Sequence, residues 1–337
     1  MNVLVTGGAG YIGSHTCLEL INSGHNPIII DNFSNSKSAV INRLQEISAK
    51  NISWYKGDIN DFTFVSEIIQ KHSIEAVIHF AGLKSVGDSI SNPIDYYTNN
   101  VAGTLSVLRV MQSNDVKRFI FSSSATVYGD ASYNPVPEHA SLLPFNPYGR
   151  SKLFIEEILR DLGLSDQQWG IAILRYFNPV GAHHSGLIGE DPRGNPTNLM
   201  PIIGRVASGG LSYLSVFGKD YPTIDGSGVR DYIHVTDLSR GHLAALNFVH
   251  KKAGVEVFNL GTGQGTSVLQ LIAAYEKAAG VKIPYEIVDR RPGDIGVSYA
   301  DASKANSLLK WRAEHDVFDM CRDSWSWVSN NHRSFRN

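Results

Sequence analysis

Several features that would set this protein apart from ordinary globular proteins are missing from its sequence. Cysteine occurs only twice in 337 residues, as Cys17 and Cys321, which excludes a disulfide scaffold. No apolar run reaches the ~18 residues that a membrane-spanning helix needs. The charges nearly balance, with 30 Lys and Arg against 32 Asp and Glu, so electrostatics gives no reason to expect nucleic acid or an anionic membrane as a partner. The composition therefore predicts a soluble, cytoplasmic protein.

The chain also lacks internal repeats, low-complexity segments and flexible linkers. Its first predicted strand begins at about residue 2, so we expect no signal peptide. A length of 337 residues suits one large or two modest domains.

A glycine-rich turn near the start of the chain is the first positive signal. Residues 2–6 are mostly apolar and β-branched, as in a buried parallel strand, and the apolar periodicity of residues 11–21 predicts a helix. Gly7, Gly10 and Gly13 lie between and at the start of these elements at three-residue spacing. Such glycines permit a tight turn and close approach of a pyrophosphate, and the helix N-terminus offers N–H groups to phosphates. The pattern predicts a bound dinucleotide, although a tight turn without a ligand would use the same residues.

A carboxylate follows at a spacing expected for ribose binding. The strand at residues 27–30 ends at Asp31, 18 residues after Gly13. Asp31 would accept hydrogen bonds from the adenosine ribose hydroxyls and repel a 2′-phosphate, which favours NAD over NADP. Lys37 is the nearby cation that argues the other way.

Apolar strands alternate with helical segments through the first half of the chain. Further strands are predicted at 52–55, 76–80, 118–121 and 171–174, with helices near 62–71, 94–112 and 147–162. Repeated βα units predict an α/β fold with a doubly wound parallel sheet, and ligands at the carboxyl ends of its strands. Gly and Pro become frequent after Asn178, and one more strand at 257–261 is expected to rejoin the sheet. We therefore predict an NAD-binding Rossmann domain over residues 1–177 plus about 231–262, and a smaller α/β substrate domain over about 178–230 plus 263–337.

Tyr148 and Lys152 form a candidate catalytic pair. They are four residues apart in a predicted helix, so they share one face and can point into the same cleft. Ser124 lies just beyond the preceding strand and could hydrogen-bond the same substrate hydroxyl. A free tyrosine titrates near pH ~10, so Lys152 and a nicotinamide cation are expected to lower the pKa of Tyr148. A surface Tyr and Lys without a role would show the same spacing.

Longer motifs resemble a known family. Four of them are similar to the extended short-chain dehydrogenase/reductase superfamily: Thr6-Gly-Gly-x-Gly10-x-x-Gly13, Asn99-Asn-Val-x-Gly-Thr104, Ser122-Ser-Ser-Ala-Thr-Val-Tyr128 and Tyr148-x-x-x-Lys152. Four others resemble, within it, the UDP-galactose (UDP-glucose) 4-epimerases: Phe80-Ala-Gly-Leu-Lys84, Leu174-Arg-Tyr-Phe-Asn-Pro-Val-Gly-Ala182, Asn198-Leu-Met-Pro201 and Gly228-Val-Arg-Asp-Tyr-Ile-His234. The resemblance runs from residue 1 to about 330 and is more specific than the glycine pattern alone.

The resemblance implies a mechanism and its parts. Tyr148 would take the proton of the sugar 4-hydroxyl while hydride leaves C4 for tightly bound NAD, and hydride would then return to the opposite face of the 4-keto sugar. The resemblance also implies a homodimer formed by the helices near 94–112 and 147–162 as a four-helix bundle. The pathway served could be galactose metabolism or polysaccharide biosynthesis.

The resemblance assigns two sets of binding residues. The cofactor set comprises Gly7, Gly10, Tyr11, Ile12, Gly13, Asp31, Asn32, Phe33, Ser34, Asn35, Ser36, Asp58, Ile59, Phe80, Ala81, Gly82, Lys84, Asn99, Tyr176 and Phe177. The UDP-sugar set comprises Asn178, Asn198, Leu199, Val216, Phe217, Arg230, Arg291, Asp294 and Ser298. Arginine suits a diphosphate because its fork of donors is bidentate and permanently charged.

Ser298 is a departure that bears on the substrate. It falls where family members restricted to UDP-glucose and UDP-galactose have a tyrosine that closes the pocket at the sugar 2-position. A small residue leaves room for an acetamido group, so we expect UDP-GalNAc and UDP-GlcNAc to be accepted too. A one-residue shift that placed Tyr299 in the gate would reverse this expectation.

Other activities are weighed against this one. A nucleotide-sugar 4,6-dehydratase would need an Asp-Glu pair directly after Ser124, where this chain has Ala125-Thr126 without a titratable group. A uronate epimerase or decarboxylase needs a cation for the sugar carboxylate, which the sequence does not exclude. An NAD-binding sensor without catalysis remains open because folds do not fix functions, although Tyr148 and Lys152 argue against it. His183-His184 lacks the spacing and acidic partner of a metal site, so no metal is predicted.

Overall fold

The computed structural model describes residues 1–131, 133–194, 196–291 and 293–331; the last six residues of the predicted substrate domain, 332–337, lie outside this part. The strands are β1 Asn2–Thr6, β2 Asn26–Asp31, β3 Ser53–Lys56, β4 Ala76–His79, β5 Arg118–Ser124, β6 Gly170–Tyr176, β7 Asn178–Val180, β8 Leu214–Phe217, β9 Val229–Arg230, β10 Tyr232–His234, β11 Gly254–Leu260, β12 Thr266–Ser267, β13 Tyr285–Val288 and β14 Val297–Ser298. The helices are α1 Tyr11–Asn22, α2 Ala39–Ser48, α3 Phe62–Lys71, α4 Val86–Ser91, α5 Pro93–Tyr96, α6 Gly103–Ser113, α7 Pro147–Ser165, α8 Leu199–Ala207, α9 Val235–Lys251, α10 Val268–Ala279 and α11 Val317–Asn330.

The main sheet has seven parallel strands in the order β3-β2-β1-β4-β5-β6-β11. The reversal of strand order between β1 and β4 is the switch point at which doubly wound sheets bind nucleotides. The predicted α/β Rossmann fold is thus confirmed, and the strand predicted at 257–261 does rejoin the sheet, as β11 beside β6.

Helices cover both faces of this sheet, which explains why its central strands are apolar throughout. On one face α1, α2 and α9 pack with β1, β2 and β6 into one core. On the other, α3, α6 and α7 pack into a second core that contains Phe119, Phe121 and Trp169. The two layers hold the carboxyl ends of the strands in a fixed arrangement.

Two elements of the structure differ in extent from their predictions. Strand β5 continues through Ser124 rather than ending at residue 121, so its last three serines belong to the sheet edge. The single helix predicted at 94–112 is interrupted: α5 passes into a π-helical segment, Tyr97–Ala102, before α6 begins. The extra residue per turn places Asn100 toward Leu83, with which its amide exchanges two hydrogen bonds of 2.7 and 3.0 Å.

Elements from the second half of the chain build a separate core. Helices α8, α10 and α11 pack with β8 around Ile203, Leu271, Tyr275 and Cys321. The segment that contains Trp311 instead packs against α9 and the first core. The division into two discontinuous domains stays a prediction. The separate core around α8, α10 and α11 is consistent with it, and the Trp311 segment, which packs on the first core, departs from it.

No helix among the residues that the structure describes is long and apolar enough to cross a membrane.

Candidate active site

A cleft of about 870 Å³ opens at the carboxyl ends of the central strands. Its walls come from the turn after β1, the ends of β2, β4, β5 and β6, and the segment that leads into α8. The cleft therefore lies at the switch point of the sheet and has the size of a small-ligand site.

The glycine turn forms the floor of the cleft. Gly7 has φ of +69°, and a Cβ at this position would meet the main chain of Ala81 at 2.8 Å. A Cβ on Gly13 would lie 2.4 Å from the Gly7 oxygen, so α1 packs directly on the turn. No side chain caps the start of α1, and its first turn contains no acidic residue. The N–H groups of this helix N-terminus are thus free of a side-chain cap, and their binding of an anionic ligand stays a prediction.

Asp31 stands at the end of β2 with its carboxylate fixed by the chain. One oxygen accepts a hydrogen bond from the Ala9 N–H at 3.0 Å, and the other accepts from the Phe33 N–H and the Ser36 hydroxyl, both at 2.8 Å. Lys37, the possible argument for NADP, is paired with Asp191 at 2.7 Å. Asp191 therefore partly neutralises the one cation that the sequence offered to a 2′-phosphate.

Most of the predicted cofactor residues line this cleft. They are Gly7, Gly10, Tyr11, Ile12, Gly13, Asp31, Asn32, Ser34, Asn35, Ser36, Asp58, Ile59, Phe80, Ala81, Gly82, Lys84, Asn99, Tyr176 and Phe177. Phe33 is the exception: its side chain is buried in the first core, edge-on to Trp54. Phe33 has φ of 57°, and its side chain is 9% exposed, so only its main chain is open to the site.

The candidate catalytic residues meet at the end of β5. Asn146 caps α7 by accepting a hydrogen bond from Gly149 N at 2.8 Å, which fixes the first turn, where Tyr148 lies. Ser124 and Tyr148 both line the cleft, and the Ser124 hydroxyl accepts hydrogen bonds from the Thr126 N–H at 3.2 Å and the Thr126 hydroxyl at 3.0 Å. Lys152 is buried, donates to the Ser122 carbonyl oxygen at 2.7 Å, and has its Nζ 5.9 Å from the centre of the Tyr148 ring.

The electrostatics of the pair differ in one respect from the prediction. Burial raises the pKa of Tyr148, and the Ser124 hydroxyl acts against this rise. The expected lowering of this pKa by Lys152 is not found in the chain alone, because the ammonium is directed at Ser122 rather than at the phenol. Burial lowers the pKa of Lys152 to about 8, while the carboxylate of Glu156 acts in the opposite direction.

Tyr176 is held at the back of the cleft by His242. Its hydroxyl is hydrogen-bonded to His242 Nε2, whose ring Nδ1 is 2.8 Å from the Leu238 oxygen. A carbonyl can only accept, so Nδ1 carries the proton and Nε2 accepts from the tyrosine. Burial lowers the pKa of His242 to about 4, which keeps the ring neutral and Tyr176 fixed.

The predicted UDP-sugar residues fall into two groups. Asn178 and Asn198 line the cleft, with Leu199 following as the first residue of α8. The rest lie on β8, β9 and β14 and in the segment before β14: Val216, Phe217, Arg230, Arg291, Asp294 and Ser298.

Within the second group, two clusters form. The Arg291 guanidinium stacks over the Phe217 ring at 4.5 Å and pairs with Asp294 at 2.9 Å. Ser298 lies opposite Arg230 in the β14–β9 register. The ring of Tyr299, the alternative gate residue, lies beside Gly265.

Two site residues were missed from the sequence because their partners are distant in the chain. Glu190 accepts hydrogen bonds from Lys84 at 2.9 Å and Asn198 at 2.8 Å, so it joins the two predicted binding sets. Asp231, fully buried, accepts hydrogen bonds from Thr262, Gly263 and Ala300. The position of Asp231 next to Arg230 in a recognised motif was the one signal that could have identified it.

His183 and His184 stack with ring centres 4.1 Å apart. Within the described ranges, no group of three or more His, Cys, Asp or Glu side chains is placed to hold a metal ion.

A serine, a tyrosine and a lysine at the edge of a Rossmann cleft define the extended short-chain dehydrogenase/reductase class. Comparison with known proteins agrees and goes further. A protein-family model described as GDP-mannose 4,6 dehydratase matches residues 4–324. A UDP-glucose 4-epimerase of Bacillus subtilis (strain 168) is 52% identical over 336 residues, which cover 100% of this chain and 99% of the relative.

Two solved structures are similar over the whole chain. A UDP-glucose 4-epimerase from Stenotrophomonas maltophila with bound NAD and formylated UDP-arabinopyranose has a TM-score of 0.98 and 51% identity, covering 99% of both chains. One from Bifidobacterium longum in complex with NAD+ and UDP has a TM-score of 0.95 and 52% identity, covering 99% of this chain and 100% of that one. The chain belongs to this broad dehydratase-related family and, within it, to the UDP-glucose 4-epimerases.

Proposed function

We propose that this protein interconverts UDP-galactose and UDP-glucose by inverting C4 of the sugar, with NAD as its resident cofactor. The main observation behind this proposal is that Ser124, Tyr148 and Lys152 line one cleft, whose base is formed by the glycine turn. Relatives at about half identity over the full chain are UDP-glucose 4-epimerases, which supports the same reaction.

The residues present fit NAD. The glycine turn leaves no space for side chains between β1 and α1, so a pyrophosphate can approach the uncapped helix N-terminus. Asp31 is positioned to accept hydrogen bonds from ribose hydroxyls, and Tyr176 and Phe177 line the inner end of the cleft. When bound, the cofactor supplies an acceptor and donor of hydride for C4 of the sugar.

The protein's own chemistry is proton transfer at the sugar 4-hydroxyl. Tyr148 accepts this proton through its phenol oxygen and later returns it, and Ser124 holds the hydroxyl in line. Phenolate formation in a buried site needs a neighbouring cation, which Lys152 supplies while it is protonated. The Ser122 carbonyl fixes this ammonium on the cleft side of α7.

We assign the binding of UDP, which must persist while the oxidised sugar turns, to the second half of the chain. We place the diphosphate near Arg230 and Arg291, which do not line the cleft in the chain alone but carry the guanidinium groups that suit a diphosphate. Arg291 is more than half exposed and pairs with Asp294, so it can exchange that partner for a phosphate at little cost. Phe217 offers an apolar ring from β8, whereas the side chain of Val216 is buried in the core of the second half and leaves only its main chain for a ligand. Asn178, Asn198 and Leu199 complete the set.

We further propose that N-acetylated UDP-sugars are accepted. Ser298 stands in β14, where a small side chain leaves space beside the sugar. The following residue, Tyr299, is held with its N–H on Asn134 at 3.0 Å and its ring beside Gly265. Successive side chains of an extended segment point to opposite sides, so Tyr299 does not share the direction of Ser298. This arrangement favours Ser298 as the residue that faces the sugar.

NMR of the purified protein without added cofactor tests both proposals. UDP-galactose and UDP-GalNAc are supplied in separate samples, and appearance of UDP-glucose and UDP-GlcNAc is followed. Conversion of both is expected. Conversion of UDP-galactose alone would retain the epimerase and reject the open gate, whereas a 4-keto-6-deoxy product would favour a dehydratase. No conversion of either sugar even after NAD is added would refute the proposed reaction.

We also propose a homodimer through the helices around α7. Ile90, Ile94 and Phe154 are 65%, 72% and 49% exposed, and Phe154 stacks on Tyr97 with ring centres 5.8 Å apart. Exposed apolar side chains from neighbouring helices suit a two-fold bundle. Two free buried cysteines also fit the cytoplasm, the compartment that we propose for this protein.

A further inference from the structure

A buried ion pair lies one helical turn beyond the catalytic lysine. Glu156 of α7 has no exposed surface, and Arg175 of β6 is 1% exposed. The Glu156 carboxylate accepts from Arg175 Nε at 3.0 Å and Nη2 at 2.6 Å, from the Ser123 hydroxyl at 2.6 Å, and from Arg160 at 3.1 Å. Its oxygens are therefore fully engaged, although neither touches the cleft.

The pair connects the elements that carry the catalytic groups. Arg175 lies opposite Ser123 in the β5–β6 register, so one arginine spans both strands. Its remaining nitrogen donates to the Tyr128 hydroxyl and to the Glu138 carbonyl oxygen, both at 2.9 Å. The Glu156–Arg175 pair thus joins helix α7, strands β5 and β6, and the turn after Ser124.

Three consecutive serines at the end of β5 link this ion pair to the catalytic residues of α7. Ser122 accepts the hydrogen bond of Lys152 through its carbonyl, Ser123 donates its hydroxyl to Glu156, and Ser124 lines the cleft together with Tyr148. The Lys152–Ser122 bond lies on the cleft side of α7, and the Ser123–Glu156 bond lies on its buried side. Glu156 is therefore a second point, besides Lys152, at which α7 is fixed against the end of β5.

We propose that Glu156, held by Arg175, is a positioning residue of the catalytic machinery that aligns Tyr148 and Lys152 with Ser124. A buried ion pair adds little net stability compared with apolar residues of similar size, because both charges lose their water. Its directional bonds nevertheless fix two elements to within a fraction of an ångström, and catalysis is sensitive to displacements of that size.

The charge of Glu156 has a second effect on Lys152. The titratable groups that face Lys152 are His79 from β4, and Tyr148 and Glu156 from its own helix. Burial lowers the pKa of His79 to about 3 and raises the pKa of Tyr148, so both groups are uncharged near neutrality in the chain without its cofactor. Glu156 supplies the negative charge that counteracts the effect of burial on Lys152.

Two substitutions separate alignment from charge. Glu156→Gln keeps the length of the side chain and removes its charge; Glu156→Asp keeps the charge and shortens the reach. With UDP-galactose as substrate and NAD saturating, we expect both to lower kcat by about tenfold or more with KM changed less than about twofold. Only Glu156→Gln should move the alkaline limb of the kcat profile, to lower pH by about one unit.

The matched control is Glu157→Gln. Glu157 is the next residue of α7, is 60% exposed and also pairs with Arg160, but it contacts neither β5 nor β6. Its substitution should leave kcat and the pH profile unchanged. Equal effects of Glu156→Gln and Glu157→Gln on kcat would overturn the positioning role, and an unshifted alkaline limb in Glu156→Gln would overturn the effect of its charge on Lys152.

Ser123→Ala provides a test should Glu156 variants fail to fold. It removes one hydrogen bond and leaves the ion pair intact, so kcat should fall severalfold at constant KM while thermal unfolding shifts by only a few degrees. An unchanged kcat would reject the role of Glu156 in alignment. This inference depends on the proposed epimerase activity, but the failure of each is distinct, because turnover by the unsubstituted protein is measured first.

Discussion

Lys152 donates a hydrogen bond of 2.7 Å to the main-chain oxygen of Ser122, two residues before Ser124. The ammonium is therefore anchored to the same strand end that carries the serine of the catalytic site. This contact directs the ammonium at the Ser122 oxygen, and its Nζ lies 5.9 Å from the centre of the Tyr148 ring. In the chain without its cofactor, burial therefore raises the pKa of Tyr148. A bound nicotinamide cation would join Lys152 in lowering it.

Tyr148→Phe should remove the proton acceptor and little else. We expect kcat to fall by about 10²- to 10⁴-fold, because general acid–base catalysis contributes that range, while UDP affinity is retained. Turnover by NMR and UDP binding by calorimetry measure the two quantities. Tyr55→Phe is the control, since Tyr55 also loses a hydrogen bond, to His72 at 2.7 Å, away from the cleft. A Tyr148→Phe protein with near-normal kcat would exclude Tyr148 as the base.

Gly13→Ala should abolish retention of the cofactor. The new Cβ would lie 2.4 Å from the Gly7 oxygen and 2.8 Å from the Gly8 Cα, so the turn must move away from α1. Such overpacking costs about 1–3 kcal/mol and displaces the pyrophosphate-binding main chain. NAD released on denaturing the purified protein, quantified by chromatography, should drop to a trace. Gly87→Ala, where a Cβ meets nothing within 4 Å, should release as much NAD as the unsubstituted protein.

His79 should make the protein less stable in acid. Thr104 donates its hydroxyl to Asn100, so it accepts from His79 Nε2 at 3.0 Å, and Thr6 donates to Nδ1 at 2.7 Å. Burial lowers the pKa of His79 from 6.5 to about 3, so between these values the unfolded chain binds the proton and the folded chain does not. The contribution of His79 to stability is therefore present above pH ~6.5 and is lost as the pH falls toward 3.

The size of this effect can be measured against a variant. Lowering the pH from 7 to 5 should cost about 2 kcal/mol through this one histidine. His79→Gln removes the titration, so its own loss of unfolding free energy over the same interval should be smaller by about that amount. Urea unfolding at both pH values provides the comparison, and identical losses in the two proteins would show that His79 is not neutral in the fold.

Ser298→Tyr should narrow the range of substrates. A ring at this position fills the space beside the sugar 2-position, so UDP-GalNAc turnover should fall by at least about 100-fold while UDP-galactose turnover stays within a few-fold. Separate kcat/KM measurements for the two sugars test this, with Ser298→Ala as the small-residue control that should convert both. An equal fall in both activities would show that residue 298 supports the fold of this wall rather than gating it.

Phe154→Glu should dissociate the proposed dimer. Phe154 is 49% exposed and stacked on Tyr97, and a charge buried in an apolar interface should weaken association by at least about 2 kcal/mol, roughly 30-fold. Sedimentation equilibrium across a range of concentrations measures the change. Ile224→Glu, at an 85% exposed position in the other half of the chain, should leave the assembly intact. A monomeric unsubstituted protein would refute the dimer itself.

Local signals in the sequence were sufficient for the first half of the fold. The strand, glycine turn and helix around Gly7–Gly13, and the acid at position 31, are defined by neighbours within a few residues. The same holds for Tyr148 and Lys152, because one turn of helix fixes their relation. The interruption of the helix predicted at 94–112 was missed, since it depends on the contact of Asn100 with Leu83, which no periodicity reports.

Residues whose roles depend on distant partners could not be predicted. Glu156 and Arg175 are 19 residues apart, and Glu190 reaches Lys84 across 106 residues. Either acid alone is typical of a solvated surface, and only the fold brings it to its cation. The direction in which Lys152 points could not be predicted for the same reason, because it is set by Ser122, which the spacing of the pair does not contain. The lowering of the Tyr148 pKa by Lys152 and nicotinamide together stays a prediction.

Asp231 gives the wall around residue 298, which we propose faces the sugar, a property useful for engineering. Its buried carboxylate holds Thr262, Gly263 and Ala300 by their main-chain N–H groups, so the backbone next to residue 298 is fixed without help from the side chain there. A library of substitutions at this single position should therefore redirect the enzyme among modified sugar nucleotides without rebuilding the loop. Asp231 supports the backbone, and residue 298 is the one proposed to select the sugar. Because these are separate residues, the substrate range can change rapidly in evolution while the reaction is preserved.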